Sequence, residues 1–392
     1  MVGRKAIYDF VDEAAEWAIG LRRGFHRWPE LSNQEYRTSI RIKQELENLG
    51  IETEKVLDTG LVAIMNKNSN RKVVALRADM DALPIQEEVI LPYASERKGV
   101  MHACGHDVHM AVLLGTAKVL NEIKEDINGT VKFIFQPAEE TTGGAERMIK
   151  KGCLENPKVD YILGLHVKPD LPAGTLGLKY GKVHASSDMF RIVVKGKGSH
   201  GAYPELGIDA IVAASQIVTN AQSIVSRNVS PLNPAVITFG SFHGGNAMNI
   251  VSDRVILEGT LRALDKNTRD YLKTRLREVA KNTAKAAGAS ADVEFSKGYS
   301  ALTNDNFIVD MIKELGMCEA GIDKIVELKE PSMGVEDFSF FLEKIPGAFF
   351  FLGSGYKGRE NEGIHSGKFE VDEKCIKPGI LIETLSVLKL LE

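Results

Sequence analysis

Apolar residues fall into two kinds of run along this chain. In the first half they come as unbroken β-branched or aromatic blocks that end in polar residues: "RKVVALRADMDALP" (71–84), "GTVKFIFQPAEE" (129–140) and "VDYILGLHV" (159–167). "GAFFFLGSG" (347–355) is a fourth block of this kind, with His365 ten residues beyond it. Between them, "TSIRIKQELENLG" (38–50), "DVHMAVLLGTAKVLNEIKE" (107–125) and "GGAERMIKKG" (143–152) carry the 3.6-residue spacing of helices. Continuous strands separated by amphipathic helices predict an α/β fold, with a mostly parallel sheet covered by helices on both faces. In such sheets the functional crevice lies at the carboxyl ends of the strands. Here three strands run into residues able to bind metal: Asp79, the Glu139–Glu140 pair and His166.

The middle of the chain alternates instead. "SSDMFRIVVKGKGSHGAYPE" (186–205), "AVITFGSFHGG" (235–245), "SDRVILEGTLRAL" (252–264) and "SADVEFSKG" (290–298) read as half-buried strands, with helices over 208–226 and 268–288. This β-α-β-β-α-β order predicts a separate α+β domain with an antiparallel sheet over residues 184–294, inserted into a larger domain made of 1–183 and 295–392.

Composition removes several functional classes. Lys and Arg number 49 and Asp and Glu 53, so a net charge of −4 gives no reason to expect nucleic acid or an anionic membrane. No apolar run reaches the ~18 residues that would cross a bilayer. The start of the chain reads as an amphipathic helix rather than a signal peptide. The four cysteines, Cys104, Cys153, Cys318 and Cys375, form no close pair, so a reducing cytoplasm is the expected location.

Chemistry concentrates in "MHACGHDVHM" (101–110), which holds three of the nine histidines. Cys104 and His106 are expected on a loop before a helix, with Asp107 as its N-cap. Thiolate, imidazole and carboxylate together suit zinc or a neighbouring transition metal. No second CxxC or HxxxH pair closes a structural zinc site, and neither HExxH nor GxSxG is present, so further ligands must come from the strand ends. Each residue alone has an ordinary reading: a strand-end histidine is commonly a hydrogen-bonded core residue, and a glutamate pair is commonly solvated. Their joint occurrence at strand ends is what favours a metal centre. His102 and His109 are supporting candidates, whereas His26, His184 and His243 have no context that singles them out.

"LRADMDALPI", "HACGHDVHMAVLLGTA", "FQPAEE", "GLHV", "GKGSHGAYPELGIDAI", "GGNAMNIVSDRVILEGTLR", "GVEDFSFF" and "GIHSGKFEVDE" resemble, in order, the successive signatures of the aminoacylase/carboxypeptidase amidohydrolases of peptidase family M20. The group with hippurate hydrolases, N-acetyl-amino-acid deacetylases and plant auxin-conjugate hydrolases is the most similar. The resemblance implies two divalent cations per subunit, an inserted lid domain that dimerises, and hydrolysis of N-acyl amino acids. It implies that Cys104 is shared by both metals, with His106 and His166 on one and Glu140 and His365 on the other. Where relatives carry H-x-D-x-x-P, this chain has Arg77 in the histidine position, so Asp79 is expected to support the site from behind. Zinc, manganese, cobalt and nickel all remain open. The resemblance also assigns the general base to Glu139, the oxyanion donor to His200 and substrate contacts to Asn249 and Arg262. The alternatives are a metallo-carboxypeptidase or dipeptidase on the same scaffold, a hydrolase with Cys104 as nucleophile, and a non-catalytic metal-binding protein.

Overall fold

The computed structural model describes residues 3–67, 71–318 and 322–392. They divide into two compact units, one of Met1–Gly181, Thr303–Lys329 and Phe340–Glu392, the other of Lys182–Leu302 and Glu330–Ser339. The second unit thus includes a short segment, Glu330–Ser339, that follows the stretch in which the alternating pattern is legible.

The first unit is built on an eight-stranded sheet in the order Glu52–Val56, Gly60–Met65, Thr130–Gln136, Val73–Asp79, Tyr161–Pro172, Gly347–Gly355, Thr175–Leu178, Lys324–Glu327. The four strands at its centre run parallel, as their unbroken apolar sequences require. Val73–Asp79 and Thr130–Gln136 are buried at every residue, because helices supply apolar cover on the faces. Arg4–Arg27, His106–Glu122 and Ile376–Leu391 share that core. Gly115 lets the last two approach closely, since a Cβ there would collide with Ile380. Lys132, a charged residue inside the sheet, donates to the carbonyls of Cys153 (3.3 Å) and Glu155 (2.5 Å).

The second unit carries the four-stranded antiparallel sheet Ala235–Gly244, Arg254–Ala263, Ser186–Lys195, Ser290–Lys297. Helices Ala210–Ser223 and Lys266–Ala286 share its core, where Phe190, Ile192, Leu257, Ile217, Leu272 and Leu276 meet. Both helices start at an aspartate cap: Asp209 accepts from Ile211 N (2.8 Å) and Asp265 from Thr268 N (2.8 Å). The buried Asp188 on the sheet takes Arg269 (2.6 Å) and Lys273 (2.8 Å) from the second helix.

Two local expectations change. The strand bearing His166 continues to Pro172, so His166 lies inside it and is brought to the crevice only because its neighbour, Val73–Asp79, stops earlier. Asp107 is not an N-cap: the helix opens at His106 behind Gly105, whose φ of +89° suits glycine, and the Asp107 carboxylate is buried against Arg22 (2.7 Å) and His26 (2.8 Å).

The core helix Ile376–Leu391 hides Glu383, whose carboxylate accepts one hydrogen bond, from Thr116 (2.8 Å). Burial pushes this carboxyl up from 4.5 to about 8. A raised acid favours the folded state fully below its unfolded pKa, and that contribution is lost as pH rises towards the folded value. The Glu383→Gln variant is therefore expected to gain stability relative to the parent between about pH 4.5 and 8, by on the order of a few kcal/mol. Denaturant midpoints at pH 5 and pH 9 measure this, and a difference independent of pH would refute it.

Candidate metal centre

The parallel strands and the loops that leave them place their polar residues on one spot. Val73–Asp79 supplies Asp79 at its last position, and two residues on lies Asp81. Thr130–Gln136 leads into Pro137, Ala138 and the glutamate pair. The helix His106–Glu122 presents His106 at its first residue, with Cys104 on the turn before it. His365 arrives on the loop after Gly347–Gly355 and is tied down by its N–H to the Ala103 carbonyl (2.8 Å).

Cys104 is the meeting point. Its Sγ lies 3.3 Å from His166 Nε2 and 3.3 Å from His365 Nε2. Among the described residues, the ligand atoms of Cys104, His106 and His166 all lie within 4.8 Å of one another, and so do those of Cys104, Glu140 and His365. His365 Nε2 is 3.2 Å from Glu140 Oε1, and His106 Nε2 is 3.9 Å from the same oxygen. The residues therefore form two groups that share one sulfur.

The imidazoles are oriented from behind. His106 Nδ1 donates to the Asp81 carbonyl (2.8 Å), and His166 Nδ1 to the Val167 carbonyl (2.8 Å). Both leave Nε2 facing the centre, the arrangement that metal-binding histidines take. His106 Nε2 is buried with no hydrogen-bond partner, an expense that a cation relieves. A soft sulfur, imidazole nitrogens and a carboxylate are also a donor set for zinc or its neighbours. The residues present thus fit divalent metal.

Electrostatics agree. Burial alone would push Asp79 up, but His106, Arg77 and His109 outweigh it and hold the carboxyl well below its usual range. Burial, then the neighbouring His109, keeps His166 well below the ordinary histidine value and so neutral, as a ligand would be. Burial would lower His106, yet Asp79 and Asp81 carry it up to about 10, so an incoming cation displaces a proton there. Burial and the acids Glu140, Glu139 and Asp79 push the Cys104 thiol well up. A cysteine nucleophile needs the opposite environment.

Asp79 sits behind this group. Its oxygens take Arg77 Nη1 (2.7 Å) and His109 Nδ1 (2.6 Å), while His109 Nε2 accepts the Val167 N–H (3.0 Å) beside His166. Glu139, buried, lies with His106 and Glu140 in a further close group. Asp81, Glu35 and Ser32 were not singled out by sequence reasoning. Asp81 lies inside "RKVVALRADMDALP", but nothing in its spacing marks it, and Glu35 and Ser32 carry no signal short of the fold. His102 is buried, and burial holds it down to about 4, a neutral core residue. His26, which lacked context, bridges Asp107 and Glu87 (3.0 Å).

The three remaining sequence candidates belong to the second unit. His200 and Asn249 are neighbours across a short ribbon, where His200 pairs with Ile250 and Gly201 N donates to the Asn249 carbonyl (2.7 Å). His200 Nδ1 accepts from Ala202 N (3.0 Å), which places the ring proton on Nε2. Arg262 stands apart on the strand Arg254–Ala263, its Nη1 buried with no hydrogen-bond partner.

Residues 75–388 match the model of Peptidase family M20/M25/M40. The N-acetyl-L-cysteine deacetylase of Bacillus subtilis is 41% identical over 359 residues, 91% of this chain and 84% of that protein. Thermostable carboxypeptidase 1 of Saccharolobus solfataricus is 40% identical over 388 residues, 97% and 96% of the two chains. The crystal structure of the Bacillus subtilis YXEP protein, described as a dinuclear metal binding peptidase from the M20 family, superposes with a TM-score of 0.85 at 36% identity, covering 97% of this chain and 99% of that one. With its α/β sheet, its antiparallel second unit and donors gathered on Cys104, the chain belongs to peptidase family M20/M25/M40 and is a metal-dependent amidohydrolase.

Proposed function

We propose that the protein hydrolyses the amide of N-acyl amino acids with a short or aromatic acyl group, releasing a carboxylic acid and an amino acid. The observation that carries this reading is the pair of donor groups sharing Cys104, with the buried Glu139 beside them. Cys104, His106 and His166 would hold one divalent cation, and Cys104, Glu140 and His365 the other. When bound, two such cations supply Lewis acidity towards the scissile carbonyl and bring a water's proton loss to neutral pH. Glu139 then takes the water's proton and delivers it to the leaving amine. His200, with its proton on Nε2, is the donor for the oxygen that gains charge. Arg262, half-buried and with no ion-pair partner among the described residues, holds the substrate carboxylate, and Asn249 flanks His200.

The second unit, residues 184–294 in the main, acts as lid and dimerisation domain. Support for a homodimer comes from its edge strand Ala235–Gly244, which leaves Val236 and Phe242 exposed. Reduced cysteines fit the cytoplasm as location, and among the described residues no helix is long and apolar enough to cross a membrane. A carboxypeptidase reading is favoured by the likeness to the Saccharolobus solfataricus protein. Amine release from N-acetyl and N-benzoyl amino acids and from dipeptides, with zinc, manganese, cobalt or nickel restored to metal-free protein, separates the two.

A chelator is expected to abolish activity, and a divalent transition metal to restore it. Cys104→Ser should lower metal content at both positions by elemental analysis, and full metal content with full activity would sink the shared-ligand role. Glu139→Gln should retain metal and lose roughly 10²–10⁴-fold in kcat, whereas Glu140→Gln should lose metal. The reverse pattern would exchange their roles.

His200 is expected to act in the partner's site. Glu139→Gln and His200→Ala chains, each inactive, are denatured, mixed equally and refolded. About half the dimers are then mixed, each rebuilding one of two sites, so roughly a quarter of parental activity should return. No recovery, with mixed dimers confirmed by mass, would place His200 in its own chain's site.

A further inference from the structure

The turn that carries both glutamates is held by two carboxylates that belong to neither donor group. Three successive backbone N–H groups are each taken by one of these carboxylates. Ala138 N donates to Glu35 Oε1 (2.9 Å), Glu139 N to Asp81 Oδ1 (3.1 Å) and Glu140 N to Asp81 Oδ2 (3.1 Å). Ala138 has a φ of +57°, a left-handed conformation that a non-glycine residue adopts only when its surroundings impose it. Consecutive N–H groups around such a residue form a concave nest for an anion, and here the anion is the protein's own. Asp81 and Glu35 have no exposure to solvent.

Each carboxylate is itself anchored. Asp81 Oδ2 accepts from Ser32 Oγ (2.6 Å), and Glu35 Oε2 from Thr59 Oγ1 (2.8 Å). The short connection between the first two helices therefore reaches the glutamate turn at several points, with Asn33 adding contacts to Thr142 (3.1 Å) and Arg147 (2.6 Å). Asp81 has a second task, because its main-chain carbonyl receives His106 Nδ1. One residue thus fixes the tautomer of His106 and the backbone beneath Glu139 and Glu140.

We propose that Asp81 and Glu35 are positioning residues for the hydrolysis, setting the Ala138–Glu140 turn so that Glu139 and Glu140 face the centre at the same time as His106 Nε2. The proposal rests on the reading of Glu139 as base and of Glu140 and His106 as ligands. A carboxylate buried only for stability would, when neutralised, lower the melting temperature and leave turnover per metal-loaded site intact. A positioning carboxylate changes metal affinity and kcat: at Asp81 an amide offers one acceptor oxygen where the Glu139 and Glu140 N–H groups take two, and at Glu35 it removes the charge that faces the Ala138 N–H and the Thr59 hydroxyl.

The test uses the full chain with Co²⁺ as the metal probe, titrated into metal-free protein and followed by its thiolate absorption. Asp81→Asn is expected to weaken Co²⁺ binding about 10–100-fold. At saturating Co²⁺ it should lower kcat by about 10²-fold with KM nearly unchanged. Glu35→Gln should shift both quantities in the same direction. If both variants fold and melt lower, yet bind Co²⁺ and turn over as the parent does, the carboxylates serve the fold alone and the proposal is overturned. Should Asp81→Asn not fold, Ser32→Ala and Thr59→Val remove one anchoring hydroxyl each. A several-fold loss of Co²⁺ affinity and kcat in them supports the proposal, and parental values in both overturn it. A parent protein that binds Co²⁺ but cleaves no N-acyl amino acid would defeat the functional reading, while the Co²⁺ affinity series would still decide the role of Asp81.

Discussion

Burying a carboxylate costs several kcal/mol unless donors surround it, and this chain buries Asp79, Asp81, Asp107 and Glu35 around or just behind a single set of strand ends. Apart from Arg77, the side chains that answer them come from remote parts of the first unit. Asp107 takes Arg22 and His26 from the first helix, Asp81 takes Ser32 and the glutamate turn, and Asp79 takes Arg77 and His109. Satisfying each acid therefore fixes the position of an element that carries a proposed ligand or the proposed base. The acids that desolvation makes costly are thereby tied to the elements that form the centre.

The regular elements and the irregular backbone divide the work. Parallel strands bring residues to one end of the sheet without strain, since their register is set by apolar packing along their whole length. The final aim of the side chains falls to two residues in left-handed backbone, Ala138 and His365, with φ of +57° and +64°. Such conformations persist when surrounding contacts over-determine them, and each has its N–H engaged, Ala138 by Glu35 and His365 by the Ala103 carbonyl.

Much of this was legible in the chain. Unbroken apolar runs gave the central strands, alternating runs the antiparallel sheet, and the crowding of Cys104 and His106 pointed to metal chemistry because those side chains seldom cluster otherwise. Family resemblance supplied what spacing could not, the pairing of Glu140 with His365 across distant segments. Asp81 and Glu35 escaped notice because their role is expressed through backbone N–H groups, which leave no residue-type signature. Asp107 was misjudged for a related reason: an aspartate near a helix start looks the same in sequence whether it caps the helix or pairs with a distant arginine. His166 deceived in the same way, since where a strand stops mattering depends on the length of its neighbour.

The span between Cys104 and His365 has a consequence for biosynthesis. These two residues, in contact at the centre, are 261 positions apart. At about 5–20 residues per second, the histidine is added on the order of 10 to 50 s after the cysteine. In the latter part of that interval, once residue 166 is added, the nascent chain carries Cys104, His106, Glu140 and His166 without His365. A polypeptide cut short before residue 365 lacks one member of the Cys104, Glu140 and His365 group and keeps every member of the Cys104, His106 and His166 group.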